Sequence, residues 1–159
     1  MTKLMRAHKV SYINTGSAYK FMGTGFTELG EELNPDVAKK MYINDEQESA
    51  TLRKYAPEYA FAFDRDTTDD AQAYIVGIAD ARATGSAAET DYIHFLDTDV
   101  NVSTGLVDCY KQSVVVSVST TGGGAAGEEL TCSGTLIANG DPVSGTWDTA
   151  TDTFTPDVS

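Results

Sequence analysis

From Tyr55 to Phe63 the odd positions are Tyr55, Pro57, Tyr59, Phe61 and Phe63, and the even ones are Ala56, Glu58, Ala60 and Ala62. A period of two is the repeat of a β-strand, because successive side chains leave opposite faces. This run predicts a strand with one heavy core face. Its other face is small enough to lie under another layer or against a neighbouring chain. A helix here would scatter the aromatics around its axis and bury none of them as a set.

Other segments read the same way. Val10–Ile13 is a weak first strand or part of a loose arm over residues 1–20. Phe21–Leu29 alternates loosely, and Gly23 and Gly25 mark a bulge or a close backbone approach. Asn34-Pro35-Asp36 is a turn signal, Lys39–Asn44 a short strand, and Asp45–Lys54 an exposed polar loop. Tyr92–Leu96 is short. Leu106–Thr121 is long, with Val114, Val116 and Val118 on one face and Ser113, Ser117 and Ser119 on the other. Thr121–Gly127 is a flexible connection to a strand at Glu129–Ala138. Asn139-Gly140 is a strong hairpin signal. Val143–Asp148 and Thr153–Thr155 close the chain.

One helix is predicted from about Asp69 to Ala83. Thr67 would cap its start, with Asp70 three residues on. Tyr74, Ile75, Ile78 and Ala79 share one side at helical spacing, and Gly85 ends it. The helix is expected to cover an edge or end of the sheet. The fold class is therefore mainly β: a β-sandwich or partly closed β-barrel with one flanking α-helix. Residues 21–156 form the single β domain, and 157–159 are a short C-terminal tail.

The chain has 159 residues and 41% hydrophobic composition, enough for one core without disulfides. Cys109 and Cys132 read as small buried hydrophobes in a reducing compartment. A cross-strand disulfide is possible but not needed. No apolar run approaches the ~18 residues of a membrane helix. The N-terminal residues lack an apolar signal region, so the protein is expected to stay in the cytoplasm where it is made.

The net charge is −13 and uneven. Lys111 is the last base. Residues 1–111 hold 18 acids and 11 bases; the remainder hold six acids and no base. Such a surface repels phosphate, so a basic nucleic-acid patch is not expected.

No enzyme is expected. The two histidines, His8 and His94, fall in the arm and in a strand. No nucleophile elbow, phosphate loop or dinucleotide fingerprint occurs. Asp97, Asp99, Asn101 and Asp108 echo a calcium loop at positions one, three, five and twelve. Val102 stands where that loop turns on glycine, and aspartate is short for the twelfth position. An acidic loop between strands is the expectation.

The closing run Leu130–Asp148, "LTCSGTLIANGDPVSGTWD", is followed by Thr153-Phe154-Thr155. It resembles the C-terminus of the major tail tube proteins of long-tailed, non-contractile phages of Gram-positive hosts. Phe26-Thr27-Glu28-Leu29 with Asn34-Pro35, Met41–Asn44 through Ser49-Ala50-Thr51, and the aromatic strand followed by one helix resemble that family in the same order. The resemblance spans most of residues 10–156. The N-terminal arm and Asp97–Asp108 are its least familiar parts.

The resemblance implies a virion protein: a β subunit that pairs its sheets into six-membered rings, which stack into a tube conducting the genome. Its partners would be other copies of itself, a tape measure protein, and tail tip and terminator proteins. DNA would pass through without specific binding. No catalytic residue or cofactor is implied. Within that role, Asp45, Glu46, Glu48, Arg53 and Lys54 are the candidate contact loop between rings. Ser113, Ser117 and Ser119 are the candidate lumen or inter-subunit face. The alternatives are another β-sandwich virion component, such as a tail terminator or decoration protein, and a carbohydrate-binding sandwich. The last needs an exposed aromatic platform, for which Trp147 is the one tryptophan.

Overall fold

A computed structural model describes residues 3–157. The end of the tail expected over 157–159 lies outside the described residues. The strands are β1 (Lys9–Asn14), β2 (Tyr19–Phe21), β3 (Phe26–Glu32), β4 (Pro35–Lys40), β5 (Ser49–Tyr55) and β6 (Glu58–Asp64). The helix α1 (Asp70–Asp80) follows, then β7 (Glu89–Leu96), β8 (Leu106–Gly123), β9 (Thr131–Ala138), β10 (Val143–Asp148) and β11 (Thr153–Pro156). The fold is mainly β with one helix, and its large antiparallel sheet is not closed into a barrel.

The main sheet runs β2-β1-β7-β8-β9-β6-β3, every pair antiparallel. It curls so that β6 and β3 face β7 and β1, and the Tyr59 and Tyr92 rings meet at 4.6 Å across the interior. The alternation in β6 sets this core. Tyr59, Phe61 and Phe63 are buried, and Ala60 and Ala62 face outward. Val114, Val116, Leu136 and Ile13 close over them from the other strands. Each such aromatic or aliphatic side chain contributes roughly 1.5–3 kcal/mol by leaving water.

A second core lies on the opposite side of β1, β7 and β8. Trp147 is fully buried there against Ile93, Phe95, Val107 and Cys109, with Tyr12 and Tyr19 around its ring. The two cores explain the change of parity along β8. Its odd residues Val107 and Cys109 are buried in one core, and its even residues Val114 and Val116 in the other. The two cysteines are separate thiols, Cys109 in one core and Cys132 in the other.

The Asn139-Gly140 signal does not make a hairpin. β9 pairs with β8 from Gly123 back to Val114, and β10 continues along the same edge from Lys111 to Leu106. Residues 139–142 are a four-residue detour between two consecutive stretches beside one long partner. Gly140 adopts φ +85, its carbonyl accepts from Gln112 Nε2 at 3.0 Å, and Asn139 N–H donates to Ser113 O. The turn chemistry is as expected. The long β8 edge leaves the following strand nowhere better to pair than further along it.

Other boundaries also move. Phe21–Leu29 divides into β2 and β3, because Gly25, at φ +78, brings the backbone against Gln72 and Asp64. Its bulge falls between Phe26 and Glu28. The strand expected at Lys39–Asn44 lies instead at Pro35–Lys40: Asn34 turns at φ 46, Pro35 opens β4, and Met41–Asn44 are not strand but the turn at the hairpin tip. Asp45–Lys54 is not a loop throughout. From Ser49 it is β5, paired with β4 in a separate two-stranded sheet. Gly122 and Gly123 still belong to β8, and β9 begins at Thr131. Val10–Ile13 takes the strand alternative, pairing with β7 and burying Ile13.

α1 is capped by Asp69, whose side chain accepts from Gln72 N–H, rather than by Thr67. Asp66 holds the Thr68 hydroxyl and N–H instead. Arg82 at φ 53 ends the helix before Gly85. Ala71, Ile75, Val76 and Ile78 are buried, and Tyr74 and Ala79 are half-buried. The helix therefore packs on the inner side of β8 and against β2.

Gly134 sits where no side chain fits: a Cβ would lie 2.3 Å from Ser117 O and 2.9 Å from the Phe61 ring. Gly134→Ala is expected to destabilise the fold by about 2–3 kcal/mol, since the sheet backbone must move. Urea unfolding measures this; a loss under about 0.5 kcal/mol, the ordinary surface range, contradicts it.

Candidate assembly surfaces

The pairing register assigns every strand residue to a face. On the outer face of β3, β6, β9 and β8, one row is Glu32, Glu58, Ile137, Val115. The next is Gly30, Ala60, Thr135, Ser117, and Glu28, Ala62 and Ser133 form a third. β7 extends the first row with Glu89 and adds Asp91 beside Ser113. Apart from the half-covered Val115 and Ile137, these positions are small, polar or acidic. Six carboxylates (Glu28, Glu32, Glu58, Asp64, Glu89 and Asp91) stand on this face, with one base, Lys111, at its border beside β10. The three serines of the sequence pattern are all on β8. Ser117 and Ser119 are exposed, Ser113 is half-buried, and Ser119 Oγ donates to Ser133 O at 3.1 Å.

This face ends in two open strand edges. β7 leaves β8 at Val115, so Val116 to Gly123 carries β9 on one side only. On its free side a groove of about 670 Å³ opens towards Ile78, Arg82 and Ala83 at the end of α1. At the far side β3 pairs only with β6. Such edges are templates for another strand unless blunted.

The β4–β5 hairpin projects from the ends of β3 and β6. Its base is tied by Asn34 Nδ2 to Ala56 O (3.1 Å) and Ala56 N–H to Leu33 O (3.0 Å). All of β5 is exposed, and Val37 and Leu52 form an apolar pair in solvent. At the tip Asp45 Oδ2 accepts from Tyr42 N–H, and Ile43 is fully exposed beside Met41 and Tyr42. Of the candidate contact residues, Asp45, Glu46 and Glu48 make an acidic tip. Arg53 and Lys54 lie on β5 in the stem, where Lys54 faces Asp36. The pattern reading missed this strand because neither of its faces is buried, so no alternation marks it.

Between β3 and the β1–β7 side, the sheet leaves a seam. Arg6, in a short 3-10 turn (Arg6–His8), donates across it to Leu29 O at 2.6 Å. His94 Nε2 and Glu31 Oε2 meet across it at 3.2 Å. His94 lies against the Tyr59 and Tyr92 rings. Burial, with help from Lys9, holds its imidazole down at about 4, and Glu31 opposes this only in part. Tyr92 is pushed up to about 12 by burial, although its hydroxyl donates to Ser11 Oγ.

Two of the candidate ligands in the Asp97–Asp108 loop have other partners. Asp97 pairs with His8 at 3.0 Å, and Asn101 Oδ1 accepts from Ser103 and Thr104 N–H groups. Among the described residues no three His, Cys, Asp or Glu side chains gather as a metal site. Trp147 is fully buried and offers no sugar platform. Among the described residues no helix is long and apolar enough to cross a membrane.

No protein-family model matches the sequence, and no curated protein matches it. Solved structures do. One is a chain of the anti-feeding prophage baseplate, a cryo-EM structure symmetrised sixfold. Its TM-score is 0.52 at 10% identity, over 91% of this chain and 97% of that one. At that identity the likeness is one of fold.

His94 makes the seam sensitive to acid. Its folded pKa lies below the ordinary 6.5, so the unfolded chain takes up a proton first as pH falls. The stability it contributes is complete above pH 6.5 and is lost between 6.5 and about 4, on the order of 3 kcal/mol. His94→Gln should flatten melting temperature against pH across that window. Identical slopes in both proteins would refute the assignment.

Proposed function

We propose that the chain is a structural subunit of a phage tail tube, assembling into hexameric rings that stack around a conduit for the genome. The observation that carries this is the outer sheet face. It is small, polar and acidic, and it is bounded by two unpaired edges. The strands β8, β9, β6 and β3 alternate in direction. The β3 edge of one copy therefore meets the β8 edge of the next antiparallel, so sheets join head to tail and a ring closes.

Inside such a ring the acidic face lines the channel. Duplex DNA carries one negative charge per ~1.7 Å of axis and binds where cations replace its counterions. A wall with six carboxylates to a single lysine releases few and lets the duplex slide. The neighbour's membership of a sixfold-symmetrised phage-derived baseplate supports a virion role and six subunits. Partners follow from that reading: further copies, a tape measure protein within the channel, and tip and terminator proteins at the ends. It assigns the chain no catalytic step and no cofactor, and places it in the virion tail after assembly in the host cytoplasm.

The hairpin supplies the contact between rings. An isolated two-stranded hairpin is marginal in water, and this one leaves its apolar Val37–Leu52 pair exposed until something covers it.

Negative-stain microscopy of concentrated protein tests the reading: hollow tubes are expected, and discrete particles would favour a terminator or decoration protein. Replacing residues 36–54 by a short turn should leave the melting temperature within a few degrees and stop assembly at single rings. Normal tubes from that variant would remove the hairpin from the contact. Ala60→Lys with Thr135→Lys should give tubes that retain DNA at low salt and release it at high salt. Equal retention by unsubstituted tubes would show that this face does not line the channel.

A further inference from the structure

The free edge of β3 is held at one point by the chain's own N-terminal segment. Asp64 N–H donates to Gly25 O at 2.8 Å, so the Asp64 backbone points towards β3. Backbone direction alternates along a strand, which turns Ala62 and Ala60 the same way and Phe61 towards β9. Leu29 stands opposite Phe61, so its own N–H and carbonyl point away from β6, along the free edge. The same count applies to β8. Asn139 N–H donates to Ser113 O, which turns Ser113, Val115 and Ser117 towards β9 and leaves the backbone groups of Val116 and Val118 on the unpaired side. Leu29 and Val118 both pack against the β6 core, so the two edges offer ladder groups beside side chains of the same face. The Leu29 carbonyl is not free, however. The Arg6 guanidinium donates to it at 2.6 Å.

We infer that Arg6 is a latch on the β3 edge: its guanidinium holds the Leu29 carbonyl in the free subunit, and the β8 edge of the next copy displaces it when a ring closes. This rests on the tube reading and names what regulates the edge its rings use. The latch stands where the added strand must enter. A groove of about 660 Å³ runs along β3, lined by Phe26 to Gly30 on one side and by Arg6, Ala7 and Lys9 on another. A charged donor makes the stronger hydrogen bond, so a single backbone N–H from Val116 or Val118 does not displace it on equal terms. A whole ladder of such bonds does. Release leaves the core intact, because the turn Arg6–His8 buries no residue. Arg6 Nη1 donates to Lys9 O at 2.9 Å, and His8 Nδ1 meets Asp97 Oδ1 at 3.0 Å, so the segment is held by surface contacts up to the start of β1. Lysine or proline within an edge strand blunts it permanently, whereas a side chain reaching in from outside the strand blunts it reversibly.

The test compares assembly with binding at the edge. Arg6→Ala is expected to lower the protein concentration needed for tubes about tenfold, the effect of removing one charge-assisted hydrogen bond from the free subunit. Arg6→Lys keeps a charged donor and should stay near the unsubstituted protein. A labelled peptide of residues 113–121 reads the β3 edge without any tube, and it should bind Arg6→Ala about tenfold more tightly than the unsubstituted chain. In the unsubstituted protein the His8 amide, which donates to Met5 O at 3.0 Å, should exchange faster in tubes than in the monomer. That measurement decides the matter even if the alanine variant folds poorly. An Arg6→Ala protein that needs as much material as before, equal peptide binding by the two proteins, or His8 exchange unchanged on assembly would overturn the latch and leave the tube reading standing. Unsubstituted and Arg6→Ala proteins that both stay monomeric at every concentration would overturn both.

Discussion

The architecture depends on the backbone ladder of β8. Its 18 residues pair with β7 on one edge and with β9 and then β10 on the other. One strand therefore belongs to two packed regions. Its first half holds Val107 and Cys109 against Trp147; its second half holds Val114 and Val116 against the β6 aromatics. A strand of ordinary length, about five or six residues, could serve only one of them. The detour at residues 139–142 is a consequence, because β9 and β10 together must track a longer partner.

That arrangement also decides what stays unpaired. β7 turns away at Val115, and the remaining length of β8 has no neighbour on that side. β3 ends the sheet without reaching β1, and the gap is bridged by side chains: Arg6 to a carbonyl and His94 to Glu31. A full barrel would have removed both edges. Here the monomer keeps them, beside a face of small and acidic residues. A chain that pairs with copies of itself needs edges of this kind, whereas proteins that stay apart blunt them.

The electrostatics follow the same division. The outer sheet face is strongly acidic, while the hairpin stem has four cations (Lys39, Lys40, Arg53, Lys54) to one acid, Asp36. The seam groove has Arg6 and Lys9. The charge thus differs by surface: acidic on the outer sheet face and at the hairpin tip, and basic or mixed on the hairpin stem and in the seam. Mixed contacts set register and orientation more than they add affinity.

The sequence by itself determined the mainly β class, the lone helix, the heavy face of β6 and the valine face of β8. In each case one side of the element is buried and the other is not, so hydrophobicity carries the period. It also carried the outward placement of Ala60, Ala62 and the serines. Tertiary structure alone decided the rest. Asn139-Gly140 has the local chemistry of a turn, but whether the chain reverses or continues depends on a partner strand some 30 positions earlier. β5 leaves no trace in periodicity because it buries neither face. The groove beside β3 gathers Arg6, Lys9, Phe21 and Leu29 from separate segments. No local window contains them together, and only the curl of the sheet brings them to one place.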